Sequence, residues 1–375
     1  MKTVLLVGSY APSLINFRGP LIKQMTDAGH RVIACAPDLT PEIQAQLAQL
    51  GAQSRSISLG RDKQSITQDL SYLRALVRLI KAEAPDLLLS YTIKPNIWGG
   101  IAARICGVRS VAMVTGLGFA FTDNGRKPTL KSRVLHGVVR RLYRTATNAN
   151  WKVVFQNPDD PVDFQKSGCL RDMSKVEIVN GSGVDLLHFA PAPLPASTKE
   201  NPVFLMVARL LFNKGVSEYA QACALVKQTH PHARFVLLGP KDSGPDGIPA
   251  DMIARWQQAG LDYVGPQHDV RSALAQCSTF VLPSYREGTP RSVLEAMAVG
   301  RAVITTDVPG CRETVQDKVN GYVIPARDVA ALACAMRKMM DPQRQHDMGQ
   351  ASLRIARAKY DVTVVNTHLI KILEL

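Results

Sequence analysis

Short apolar runs alternate with longer amphipathic stretches from the first residues onward. β-Branched and leucine runs at 3–8, 31–36, 86–91, 110–115 and 151–156 predict strands covered on both faces, with helical periodicity near 19–29, 67–83, 96–106 and 128–147 between them. After a break the alternation resumes, with strands predicted at 203–208, 234–239, 279–283, 302–306 and 321–324. Helices are predicted between and after these, near 215–229, 249–259, 268–276, 290–299 and 328–340. This order predicts the α/β class with largely parallel sheets. It implies two Rossmann-like, doubly wound domains facing across a cleft, with ligands at the carboxyl ends of the strands.

The break is Pro191-Ala-Pro-Leu-Pro195 followed by a polar stretch to Asn201, which predicts a linker over 191–201. It separates a first domain, 1–190, from a second, 202–345. The remaining 346–375 reads as C-terminal helices, and the amphipathic Asp361 to Leu375 is expected to pack back on the first domain.

Composition narrows the class. An apolar fraction of 46 % and a charged fraction of 20 % fit a globular protein. No apolar run reaches the roughly 18 residues a membrane span needs. Thr3-Val-Leu-Leu-Val7 runs into Gly8 too early for a signal sequence, so it reads as a buried strand of a cytoplasmic protein. The seven cysteines are dispersed without a CxxC pair, and neither the histidines nor any Asp-x-Asp suggests a metal site.

Charge adds a partner class. Residues 1–190 carry 24 Lys/Arg against 14 Asp/Glu, so most of the net +14 lies in the first half. Between Asn124 and Pro158 no acid occurs, while Arg126, Lys127, Lys131, Arg133, Arg140, Arg141, Arg144 and Lys152 do. Such a field attracts anionic lipid, nucleic acid or a diphosphate substrate. Leu130, Val134, Val138 and Leu142 form an apolar stripe along the same stretch. It reads either as a core-facing helix with a basic back or as a peripheral membrane face aided by Leu117, Phe119 and Phe121. Aromatic interleaving is too sparse for a nucleic-acid module.

Two segments carry candidate chemistry. In Tyr285-Arg-Glu287-Gly288-Thr289-Pro290-Arg291-Ser-Val-Leu-Glu295, Thr289 suits an N-cap and Pro290 a first helical position. The helix amino end would then present amides to an anion, with Glu287 and Glu295 accepting hydrogen bonds from hydroxyl groups beside it. In Val207-Ala-Arg209-Leu-Leu-Phe-Asn-Lys214-Gly215, Arg209 can clamp phosphate oxygens and Lys214 add a point charge. The plainer alternative is solvated glutamates and surface cations.

With seven residues between Glu287 and Glu295 and the basic loop upstream, the chain resembles retaining glycosyltransferase family four, of the GT-B fold. That resemblance implies that Arg209 and Lys214 hold the donor diphosphate, Glu287 contacts the donor sugar and Glu295 the ribose. It implies that Gly288, Thr289, Pro290 and Arg291 line the donor site and that Gly265 to Val270 frame the base, usually uracil. Asn16-Phe-Arg18-Gly19, Lys94-Pro-Asn96-Ile-Trp98 and Thr115-Gly116-Leu-Gly118 resemble a bacterial branch that builds surface glycans or protein-linked glycans on undecaprenyl diphosphate. Thr115-Gly116 stands where family members often carry a histidine, so no catalytic histidine is expected. The resemblance thus implies a UDP-sugar donor, a lipid-diphosphate-linked acceptor, an anionic inner-membrane surface as location and no cofactor. A UDP-sugar epimerase of the same architecture, or a non-catalytic anion-binding protein, are the alternatives.

Overall fold

The computed structural model describes residues 1–59, 66–117, 130–196 and 200–375, without the side chains of Ile66 and residues 130–136. The chain forms two compact units, Met1–Ser182 with Thr363–Leu375, and Gly183–Val362.

The first unit runs β1 (Thr3–Val7), α1 (Pro12–Asn16), α2 (Gly19–Asp27), β2 (Arg31–Ala36), α3 (Pro41–Gln49), β3 (Gln53–Ser56) and α4 (Ile66–Glu83). It continues with β4 (Leu87–Tyr91), α5 (Ile93–Cys106), β5 (Arg109–Val114), α6 (Leu130–Ala149), β6 (Lys152–Phe155), α7 (Asp159–Lys166) and β7 (Val176–Ile178). The strands pair in parallel in the order β3-β2-β1-β4-β5-β6-β7. Successive residues of β1 serve opposite faces: Val4 and Leu6 pack with Leu21, Ile22 and Met25 of α2, whereas Leu5 and Val7 pack with Leu76 and Ile80 of α4. Helices on both faces explain why these strands read as unbroken apolar runs.

The second unit repeats the scheme with β8 (Val203–Val207), α8 (Val216–Lys227), β9 (Arg234–Leu238), α9 (Ala250–Gln258), β10 (Leu261–Gly265) and α10 (Arg271–Gln276). It ends with β11 (Thr279–Leu282), α11 (Arg291–Ala298), β12 (Ala302–Thr306), β13 (Gly321–Ile324), α12 (Val329–Lys338) and α13 (Pro342–Ile355). Its parallel order is β10-β9-β8-β11-β12-β13. The last helix, α14 (Val362–Leu373), puts Leu369, Ile372 and Leu373 into the first unit's cluster around Val4 and Leu6.

Three strands escape the sequence pattern: β3, β7 and β10. Each is the outermost strand of its sheet, where one flank lacks a covering neighbour. Gln53-Ser-Arg-Ser56 is polar and Val176-Glu-Ile178 is short, so neither produces an apolar run. Pro191 to Pro195 lies within the second unit, since the chain crosses between units at Ser182 and Gly183. The buried Arg301 fastens that stretch, donating to Ala192 O at 2.9 Å, Pro193 O at 3.1 Å, Leu274 O at 2.9 Å and Ala275 O at 2.9 Å.

On α6 the apolar stripe is rotated from the expected one. Tyr143 and Ala146 are buried with Val139 and Leu142 partly so, while Val138 is half exposed. Among the described residues no helix is long and apolar enough to cross a membrane.

Candidate active site

In the second sheet the chain moves outward one way from β8 to β9 and the other way from β11 to β12. The loops after β8 and β11 therefore diverge, leaving the crevice at which parallel sheets take ligands.

These two loops are locked together. Gly215 has φ +72°, and a Cβ there would lie 2.1 Å from Pro283 O, so only glycine permits this approach. Tyr285 N donates to Asn213 O at 2.9 Å. The contact carries Lys214 across to the next loop, where its Nζ lies 2.5 Å from Glu287 Oε1. Ser284 Oγ donates to the same oxygen at 2.8 Å, and Thr306 Oγ1 donates to Ser284 O. Glu287 N donates to Pro309 O at 3.0 Å. The two side chains of the pair are 22 % and 13 % exposed, so their attraction is shielded from bulk water.

In α11, which follows this loop, Glu295 is buried and accepts from Arg291 Nε at 2.8 Å. Burial pushes its carboxyl above the ordinary range, against the lowering effect of Arg291. Pro290 occupies the cap of α11, one residue later than expected of Thr289, and supplies no side-chain cap. Gly288 and Thr289 fill the turn between Glu287 and that cap. Arg209, in the loop after β8, is 62 % exposed and stands 3.5 Å from Asp242. Gly265 ends the edge strand β10 at φ +91°, and Val270 is the cap of α10.

Sequence reasoning missed some neighbours of this cluster. Tyr285 donates its hydroxyl to Glu218 Oε1 at 2.5 Å, and the Arg327 guanidinium lies 4.6 Å from its ring centre. Asn213 Oδ1 and Glu218 Oε2 are buried without a hydrogen-bond partner among the described residues. The acid in the first turn of α8 was the one available signal for Glu218.

The first sheet has its own divergence between β1 and β4. There Arg18 is buried with its guanidinium 5.0 Å from the Tyr91 ring centre, and Tyr91 Oη is 2.8 Å from Ser13 Oγ. Asn16 ends α1 and Gly19 opens α2, on either side of Arg18. Thr115 and Gly116 follow β5, Gly116 with φ +135°. Lys94 pairs with Asp69 at 3.0 Å. Asn96 is buried: its Nδ2 donates to Met113 O at 2.8 Å and its Oδ1 accepts from Ser90 Oγ at 2.9 Å, an amide used to join β4 and β5. Gly118, Phe119, Phe121, Arg126 and Lys127 lie outside the described residues, as do the side chains of Leu130, Lys131, Arg133 and Val134.

Each sheet thus presents polar and cationic groups at its divergence. Residues 201–342 match the family described as Glycosyl transferases group 1, and residues 18–150 match the Glycosyl transferase 4-like domain. The chain belongs to the group 1 glycosyltransferases, the retaining family four of the GT-B fold.

Among its relatives is the N,N'-diacetylbacillosaminyl-diphospho-undecaprenol alpha-1,3-N-acetylgalactosaminyltransferase of Campylobacter jejuni, 27 % identical over 343 residues and 88 % of each chain. An Escherichia coli UDP-Gal:alpha-D-GlcNAc-diphosphoundecaprenol alpha-1,3-galactosyltransferase is 28 % identical over 294 residues, covering 74 % of this chain and 72 % of its own. The crystal structure of Anabaena HepE in complex with UDP and glucose shares the fold over 100 % of both chains, with a TM-score of 0.78 at 18 % identity.

Proposed function

We propose that this enzyme moves a hexose or N-acetylhexosamine from a UDP-sugar to a polyprenyl-diphosphate-linked acceptor, in the assembly of a surface polysaccharide or a protein-linked glycan. The observation that carries this reading is the Lys214–Glu287 pair at the divergence of β8 and β11, with Arg209 and the Arg291–Glu295 pair on neighbouring segments. The activities named for the Campylobacter jejuni and Escherichia coli relatives, both on undecaprenyl-diphosphate-linked sugars, support the acceptor class.

In this reading the bond from the anomeric carbon to the diphosphate oxygen breaks while the acceptor hydroxyl oxygen bonds to the same face of that carbon. The hydroxyl proton passes to the departing diphosphate. Lys214 and Arg209 stabilise the charge that grows on this leaving group. Glu287, held by Lys214 and Ser284, orients the sugar hydroxyls. Glu295 accepts from the ribose, Arg291 and the amino end of α11 face the diphosphate, and Gly265 and Val270 border the base. Gly288, Thr289 and Pro290 shape the turn between. Asn16, Arg18, Gly19, Lys94, Thr115 and Gly116 receive the acceptor, with Asn96 holding β4 to β5 behind them. The two cations and the helix end take the part a divalent metal plays elsewhere, so no cofactor is required.

The test is transfer of label from UDP-GalNAc, UDP-GlcNAc, UDP-galactose and UDP-glucose, each in turn, to undecaprenyl-diphosphate-linked sugars in detergent. Label entering the lipid fraction from one donor supports the reading and names the sugar. Label staying on an isomerised donor, or reaching only water-soluble acceptors, overturns the lipid-linked acceptor.

A further inference from the structure

The first unit has a second concentration of charge, remote from the divergence of β1 and β4. α6 follows the carboxyl end of β5 and leads into the amino end of β6, so its last turns stand at the amino edge of the sheet. α7 runs in the same sense and delivers Ser167 to Arg171 to that edge. There Arg140, Arg141 and Arg144 join Arg171 around a cavity of about 530 Å³, with Thr145 and Asn148 also in its wall.

Among the described residues none of these four guanidinium groups makes an ion pair. The neighbouring Asp172 is engaged by Ser174, whose amide and hydroxyl donate to it at 3.0 and 2.6 Å. Like charges gathered around one hollow raise each other's energy, and a multivalent anion relieves all four at once. Guanidinium forks match phosphate oxygens, while Thr145 and Asn148 add neutral hydrogen-bonding groups.

We propose that this cavity is a binding site for a phosphate-bearing anion, supplied either by the headgroup of an anionic lipid or by a free polyphosphate. It lies at the opposite edge of the sheet from Gly8, Tyr91 and Thr115, and its existence does not depend on the transfer reaction.

The experiment uses the full chain without nucleotide, since UDP carries the same diphosphate chemistry; any binding at the donor loops is common to every variant compared. One arm titrates inorganic pyrophosphate by calorimetry; the other sediments the protein with phosphatidylglycerol–phosphatidylcholine vesicles. The double variant Arg144→Gln/Arg171→Gln is compared with Arg74→Gln/Arg78→Gln, which removes the same charge from the exposed side of α4. Asn148→Glu, which keeps all four arginines, is the second probe. At least a tenfold loss of affinity in R144Q/R171Q and in N148E, with R74Q/R78Q unchanged, supports the site. Loss confined to vesicles identifies the lipid as source, and loss of pyrophosphate binding identifies the free anion. Wild-type affinity in both arms for R144Q/R171Q, or an equal loss in R74Q/R78Q, overturns the proposal.

Discussion

Lys214 Nζ and Glu287 Oε1, 73 positions apart in the chain, lie 2.5 Å apart because Gly215 lets the loop after β8 close on Pro283. The lysine balances a shielded carboxylate and, in the proposed reaction, presents a cation to the leaving diphosphate.

Removing it should therefore fall mainly on turnover. Lys214→Ala is expected to lower kcat more than 100-fold, about 3 kcal/mol at the transition state. Steady-state kinetics with the preferred donor check this, and near-wild-type kcat would remove the lysine from the leaving-group role.

Gly215 and Gly107 allow a matched comparison. Their φ values are +72° and +70°, yet a Cβ on Gly215 meets Pro283 O at 2.1 Å while one on Gly107 meets nothing within 4 Å. Gly107→Ala should cost about 1 kcal/mol of backbone strain, and Gly215→Ala about 3 kcal/mol or more. Thermal melts of the two variants give the order directly. Equal losses would mean the loops can part without consequence.

The central strands and the two basic and acidic loops announce themselves in the sequence because doubly covered strands and fixed motif spacing leave strong local signals. Lys214 and Glu287 were assigned separate contacts, however, since the salt bridge depends on Gly215 approaching Pro283, a tertiary event. Arg301 left no signal at all: one charge between Gly300 and the apolar β12 looks like a strand-end residue. The edge strand β3 was hidden because its Gln53-Ser-Arg-Ser56 has no apolar run. The stripe on α6 is turned from the one that a spacing of four predicts, because residues 139, 142, 143 and 146 face inward while Val138 stays half exposed.

Glu295 carries a pH signature. Its carboxyl is raised by burial, so the folded chain holds this proton more tightly than the unfolded chain. Stability from this group is present below the ordinary glutamate range and falls as pH rises through it towards the raised folded value. The melting temperature of wild type minus that of Glu295→Gln should therefore decrease over that interval and level off above it. A difference that grows with pH would mean that Arg291 outweighs desolvation.

Charge compensation by Arg209, Lys214 and α11 predicts transfer in the absence of divalent ions. Activity should survive EDTA unchanged. Abolition by EDTA with recovery on adding magnesium would assign that charge to a metal.

Arg301 sets a structural expectation. Arg301→Leu leaves the carbonyl groups of Ala192, Pro193, Leu274 and Ala275 without their donor, and should destabilise the second unit by about 3–5 kcal/mol. Hydrogen exchange should then rise first at the Ala192 amide, which donates to Val299 O, and in α10. Unchanged protection there would show that the stretch is held by other contacts.

The cluster of Val4 and Leu6 is finished by Leu369, Ile372 and Leu373, which are made more than 350 residues later. Domains ordinarily close in the order in which a ribosome delivers them. Here the second unit is one uninterrupted stretch, whereas the first waits for α14 to cover its apolar face. The half of the enzyme that is synthesised first is therefore the last to be sealed, and a nascent chain halted before Thr363 would present that face to chaperones.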